Sequence, residues 1–186
     1  MTRSTIVLGL AAFMAACGGG NNQEAKDPTS GAAAGAAGGS SPTSTTSTAV
    51  STGSSAGLKP FQKEALEKFD GDIKGSLDAV NKACGTSIKV SSDFSNYKEE
   101  AWSGNSVSSR CSSVLDGIAA VCAKSHYKPE VAKNLAEVKC IFGGTGTDAK
   151  ANMSHSGKVF TTKMNVEASN LQDAATTVLQ NKLDGK

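Results

Sequence analysis

An α+β domain, with a small and mainly antiparallel sheet packed with about three helices and tied by two disulfides, is the fold this sequence predicts. Three features carry that expectation. Apolar residues recur at spacings of three and four in long stretches near both ends of the region after residue 58, which is the period of an amphipathic helix. Between them lie shorter stretches with the alternation of half-buried strands, one pair of them joined by a two-residue turn signal. Four cysteines fall within the same region, an even number that can pair completely.

The first helix is expected to begin at Pro60, because proline is well suited to a first helical turn. Its stripe is Phe61, Ala65, Phe69, Ile73, Leu77, Val80 and Cys84, and Gly85 reads as its stop signal. Gly71 and Gly75 interrupt it at a cost of roughly 1 kcal/mol each against alanine, so either another backbone packs closely there or the helix bends. Residues 87–91 alternate as a short strand. The stretch 93–106 has no period but gathers Phe94, Tyr97 and Trp102 beside Glu99 and Glu100. Two readings of these rings are open. They fold back to cap the core, since aromatics supply much of a small domain's buried area, or they form a contact surface for a protein or a glycan.

A second helix is expected from about Val107 to Ser125, with Cys111, Val114, Leu115, Ile118, Val121 and Cys122 on one face. Cys111 and Cys122 then stand about 16 Å apart along the axis, too far for a disulfide, whose alpha carbons lie within about 7 Å. Two pairings remain. Cys84 with Cys122 and Cys111 with Cys140 is expected if this helix runs antiparallel to the strands before and after it; Cys84 with Cys111 and Cys122 with Cys140 is the alternative. Pro129 opens a short helix carrying Val131 and Leu135. Residues 137–142 form a strand with Val138, Cys140 and Phe142 on one face, and the glycines at 143, 144 and 146 make a turn. Residues 149–155 and 158–166 read as two strands joined at Ser156 and Gly157, with Phe160, Met164 and Val166 facing inward. Ser169 and Gln172 form a capping box for the last helix, whose stripe is Leu171, Ala175, Val178, Leu179 and Leu183.

The start of the chain has a different character. After Arg3 an uncharged apolar run leads to Ala15, Ala16 and Cys17, and it is about half the length needed to cross a bilayer, so residues 1–16 are expected to be an export signal. The small residues before Cys17 resemble the bacterial lipobox, with Met14 where leucine is most common. That resemblance implies a thioether-linked diacylglycerol on Cys17, which becomes the new amino terminus; the alternative is a plain secretory signal cut near Ala16. Parity favours lipidation, because five cysteines are awkward for an exported protein unless one is withdrawn. Residues 18–57 are rich in Gly, Ala, Ser and Thr, cannot bury enough surface to offset chain entropy, and are expected to be a disordered tether. Residues 58–186 make one domain. The cysteine arrangement and the ending, from Cys84 to Leu183, resemble exported lipoproteins of Gram-negative bacteria. That resemblance implies no activity; with Gly18 to Gly20 in place of an aspartate-type retention signal, it implies the outer membrane.

A formal charge of +2 without a run of Lys or Arg on one face gives no reason to expect nucleic acid as a partner, or steering by anionic lipid. His126 and His155 have no Cys, Asp or Glu at metal-ligand spacing, no serine lies in a Gly-x-Ser-x-Gly setting, and the glycines at 143–146 precede a strand where a phosphate loop needs a helix. Glu99 and Glu100 are adjacent and project apart, unlike a working acid and base. No catalytic residue, cofactor or metal is therefore expected. The sequence reads as a lipid-anchored envelope protein with a non-catalytic domain that binds a protein or a glycan, the alternative being a small exported hydrolase or an inhibitor of one.

Overall fold

The computed structural model describes residues 55–186, so the expected export signal, Cys17 and nearly all of the expected tether lie outside the described residues. The first element is α1 (Pro60–Cys84), which ends as expected: Gly85 adopts φ 68° and donates its N–H to Asn81 O. The Asn81 side chain then bonds both the N–H and the carbonyl of Ile88, which fixes where the first strand begins. No atom lies within 4 Å of where a side chain at Gly71 or Gly75 would start, so no second backbone packs against them. The stripe is offset near its start. Leu66 and Gln62 are buried, while Phe61 is exposed, because the Gln62 carboxamide accepts from Lys59 N and donates to Ser95 O and Tyr97 O.

The remaining elements are β1 (Lys89–Asp93), α2 (Val107–Cys122), α3 (Lys128–Asn134), β2 (Glu137–Phe142), β3 (Met153–Ser156), β4 (Val159–Met164) and α4 (Leu171–Leu183). The four strands lie in the order β1-β2-β4-β3. The sheet is mixed rather than mainly antiparallel: β1 pairs with β2 and β2 with β4 in parallel, and β3 with β4 alone is antiparallel. Two connections explain this. The path from β1 to β2 runs through α2 and α3, and a helical crossover returns a strand in the same direction. The path from β2 to β4 passes through β3, which lies on the far side of β4 and so leaves β2 beside a strand of its own direction.

The helices α1, α2 and α4 cover one face of the sheet and run opposite to β1, β2 and β4. Along that face lie Val90, Val138, Phe142, Phe160 and Met164, all buried; the other face exposes Lys89, Lys139 and Lys163. Two disulfides lock the layers, Cys84 with Cys122 at a Cα separation of 5.0 Å and Cys111 with Cys140 at 6.0 Å. The first joins the carboxyl ends of α1 and α2, and the second ties α2 to β2. Each contributes roughly 2–4 kcal/mol. Such bonds form and persist in an oxidising, extracytoplasmic compartment.

Three local expectations shift. Lys150–Asn152 form a 3-10 turn, so β3 starts only at Met153, and the hairpin turn is Gly157 and Lys158, with Gly157 at φ 59°. β4 stops at Met164, and Val166 is exposed rather than inward. The cause is Asn165, whose side-chain oxygen accepts from the N–H groups of Glu167 and Ala168 and turns the chain away from the sheet. The Ser169 capping box is not formed; Asn170, at φ 55°, stands at the N-cap of α4 without a side-chain bond.

Candidate functional site

Because the helices run opposite to the three parallel strands, the carboxyl ends of β1, β2 and β4 and the amino ends of α1, α2 and α4 meet at one end of the domain. In sheets of parallel strands this is the end where ligands bind, since the loops there are free to diverge while the scaffold stays fixed. A cleft of about 350 Å³ opens there between the loops that follow the three strands. Its wall holds Trp102 and Phe142, and its rim is formed by residues 143–146 and 165–167.

The rim is pinned from below. Asn152, buried, accepts from Thr145 N at 3.0 Å and donates to Thr145 O at 2.8 Å and Asp148 O at 3.1 Å. Asn165 donates to Gly146 O at 2.9 Å. A side chain at Gly144 would begin 2.1 Å from Lys163 O, so glycine is required where this turn crosses the end of β4.

The three rings of the 93–106 loop separate. Phe94 is 1% exposed and packs against Phe69, Phe142 and Tyr97, with ring centroids 5.6, 5.0 and 5.5 Å away. Trp102 is 7% exposed, edge-on to Phe142 at 5.3 Å. Neither offers the exposed contact surface that was one reading of this loop; their large apolar area is used to close the end of the core. Tyr97 is half-buried between Phe61 and Phe142, at 6.3 and 5.4 Å, and burial, with Glu99 adding to it, raises its pKa.

Arg110, in the first turns of α2, organises the other side of the cleft. Its guanidinium donates to Ala168 O at 2.6 Å and Val166 O at 2.7 Å and lies 6.0 Å from the Trp102 ring centroid. Burial lowers its pKa. This residue was missed in the sequence because its partners are main-chain carbonyls more than fifty residues away. The available signal was that it is the sole arginine of the described residues, and a planar fork serves two acceptors where lysine would not.

A second, polar groove of about 510 Å³ lies between the amino ends of α2 and α4. Beside it Ser106 caps α2 by accepting from Ser109 N, its hydroxyl lies 2.8 Å from that of Ser108, and Ser108 donates to Asp72 at 2.9 Å. This chain of hydroxyls ends on a carboxylate, with no imidazole in it. His155 stands elsewhere, on β3: its Nε2 lies 3.0 Å from Asn134 O, its Nδ1 is buried without a partner, and its pKa is lowered by burial first and by Lys182 further. His126 is exposed against the Tyr127 ring, 4.1 Å between centroids. Neither histidine hydrogen-bonds a serine among the described residues. Nor is there among them a group of three or more His, Cys, Asp or Glu able to hold a metal, or a helix long and apolar enough to cross a membrane. No family model, curated protein or solved structure matches this chain.

Proposed function

We propose that this chain is a lipid-anchored protein of the bacterial cell envelope, held through Cys17, and that its disulfide-braced domain binds a segment of protein or glycan in the cleft at the ends of β1, β2 and β4. The observation that carries the binding reading is the pinned rim. Its main-chain polar groups are fixed by Asn152, Asn165 and Arg110 before any partner arrives, so little conformational entropy remains to be lost on binding. About 350 Å³ is within the usual size of a ligand cleft, and here only the small exposed edges of Trp102 and Phe142 lie under a largely polar rim. The anchor reading is supported by the apolar run that ends at Cys17 and by the four other cysteines, which pair completely.

Two experiments test the two halves. Labelled palmitate should enter the wild-type protein and not Cys17→Ser; label that survives the substitution removes the anchor. A photocrosslinking amino acid placed at Val166, on the rim, should capture an envelope partner in intact cells, while the same group at Lys139, on the open sheet face, should not. Equal capture from both positions, or none from Val166, refutes the cleft as the binding site.

A further inference from the structure

The end of the domain opposite the cleft gathers exposed lysines, which the sequence conceals because they are dispersed. The cleft end is of mixed sign, with Glu99, Glu100 and Asp148 exposed beside Lys59, Lys98 and Lys150. At the opposite end, where α1, α2 and α4 finish, the Cys84 to Cys122 disulfide brings Lys82 and Lys124 onto neighbouring turns, and both are exposed. Lys128 lays its side chain across Gly85, its Cε 3.3 Å from where a side chain there would begin. The Lys124 ammonium lies 6.0 Å from the Tyr127 ring, whose hydroxyl donates to Asp184, and Lys186 pairs with the same carboxylate at 3.3 Å. Lys182 precedes Asp184 by half a turn.

Some of this placement serves the helices, since cations at carboxyl ends favour the helix dipole, as at Lys82 and Lys182. Lys128 opens α3, but its ammonium lies across Gly85 at the carboxyl end of α1 and so favours that helix's dipole in the same way. Asp184, bonded by Tyr127 and Lys186, keeps its negative charge, and the exposed lysines around this end outnumber it. The placement leaves exposed lysines dispersed over this end, which fits a layer of phosphates better than one bound anion.

We infer that this basic end rests on the anionic phospholipid headgroups of the membrane that holds Cys17, turning the cleft outward. The inference rests on the proposed lipid anchor for its geometry and on the lysines for its chemistry. Reach is not limiting: α1 is about 37 Å long at 1.5 Å per residue, and the roughly 40 residues between Cys17 and Pro60 span up to about 130 Å when extended. Tethering raises the local concentration of the patch at the surface, so a modest intrinsic affinity suffices.

The test uses purified Cys17→Ser protein, which carries no acyl chain, with vesicles of phosphatidylcholine alone or mixed with phosphatidylglycerol. Binding is expected only with phosphatidylglycerol, weakening as salt rises. Lys124→Gln with Lys128→Gln should lower partitioning about thirtyfold, the effect of withdrawing two lysines from such a surface. Lys63→Gln with Lys68→Gln, on the amino-terminal half of α1, should leave it unchanged; far-ultraviolet circular dichroism confirms that both variants fold. Absence of phosphatidylglycerol-dependent binding, an equal loss from the Lys63 and Lys68 pair, or displacement by inorganic phosphate at constant ionic strength overturns the inference, the last by showing a discrete anion site. Vesicle binding that persists when wild-type protein takes up no palmitate would sink the anchor and leave the surface standing.

Discussion

Thr162 should be replaceable by valine with a gain in stability. It lies on the helix-facing side of β4, fully buried, in a row that crosses the sheet as Ser92, Cys140 and Thr162. The row passes through the Cys111 to Cys140 disulfide, and the hydroxyls of Ser92 and Thr162 on either side of it have no hydrogen-bond partner. A buried hydroxyl left unpaired costs about 1–3 kcal/mol by comparison with mutated proteins, and a methyl group of nearly the same volume removes that cost without opening a cavity. Thr162→Val is therefore expected to raise the unfolding free energy by about 1–3 kcal/mol. For a domain of this size that is a rise in Tm of roughly 4 °C per kcal/mol. Urea unfolding with the disulfides intact, followed through Trp102 fluorescence, gives the number directly. The midpoint should rise while the slope stays constant, because the surface exposed on unfolding hardly changes. A loss of 1 kcal/mol or more would refute the reasoning, since it would mean that the hydroxyl is bonded to water or to a carbonyl of the strand.

The remaining predictions concern other named positions. Gly71→Ala and Gly75→Ala should each stabilise the domain by about 0.4–1 kcal/mol, because nothing lies within 4 Å of the added carbon and the unfolded chain loses freedom. Gly117→Ala should instead cost roughly 1–3 kcal/mol in the same denaturation assay, as its added carbon would begin 2.4 Å from Gln172 O where α2 meets α4. Trp102→Ala should destabilise by about 3–5 kcal/mol, and the wild-type tryptophan should emit to the blue and resist iodide; a change within 0.5 kcal/mol would restore the contact reading of its loop. His155 has a folded-state pKa below its ordinary 6.5, so between that lower value and 6.5 the unfolded chain binds more protons. Its contribution is complete above about pH 6.5 and is lost as pH falls toward the folded value, and a thermal-melt series should show a flatter acid limb in His155→Gln.

The sequence disclosed those parts of the fold that depend on neighbours along the chain. The stripe Phe69, Ile73, Leu77, Val80 and Cys84 is buried as its spacing requires, and the stop at Gly85 follows from its freedom to adopt positive φ. The expected pairing of Cys84 with Cys122 and Cys111 with Cys140 came from helix length, which is local, together with the condition that the helix runs opposite to the strands on either side of it. Strand direction was misjudged because it depends on the crossover through α2 and α3, which returns β2 parallel to β1, and on β3 crossing to the far side of β4, and no residue of β3 states which edge it will occupy. The expected cap at Ser169 failed for a related reason. Arg110 draws the carbonyls of Val166 and Ala168 toward α2, and the chain enters α4 through Asn170 at positive φ instead. At the cleft, the aromatic loop was visible but its burial was not, because Phe94 and Trp102 are covered by Phe142, which lies on a strand about forty residues further on.

The two covalent loops interleave: one runs from Cys84 to Cys122 and the other from Cys111 to Cys140, so α2 belongs to both. Everything from the end of α1 to the middle of β2 is therefore one cross-linked frame that cannot come apart while its sulfurs stay oxidised. The hairpin of β3 and β4 and the helix α4 have no covalent share in that frame. They are held by the strand pairing of β4 with β2, by the close seat of α4 against Gly117, and by Arg110. When the domain opens below its global unfolding limit, this carboxyl-terminal part is the one free to swing. Residues 143–146 of the rim follow the frame, whereas residues 165–167 follow the hairpin. A partner seated between them would add to the Asn165 to Gly146 bond, which already joins across the cleft the two pieces that the disulfides leave separate.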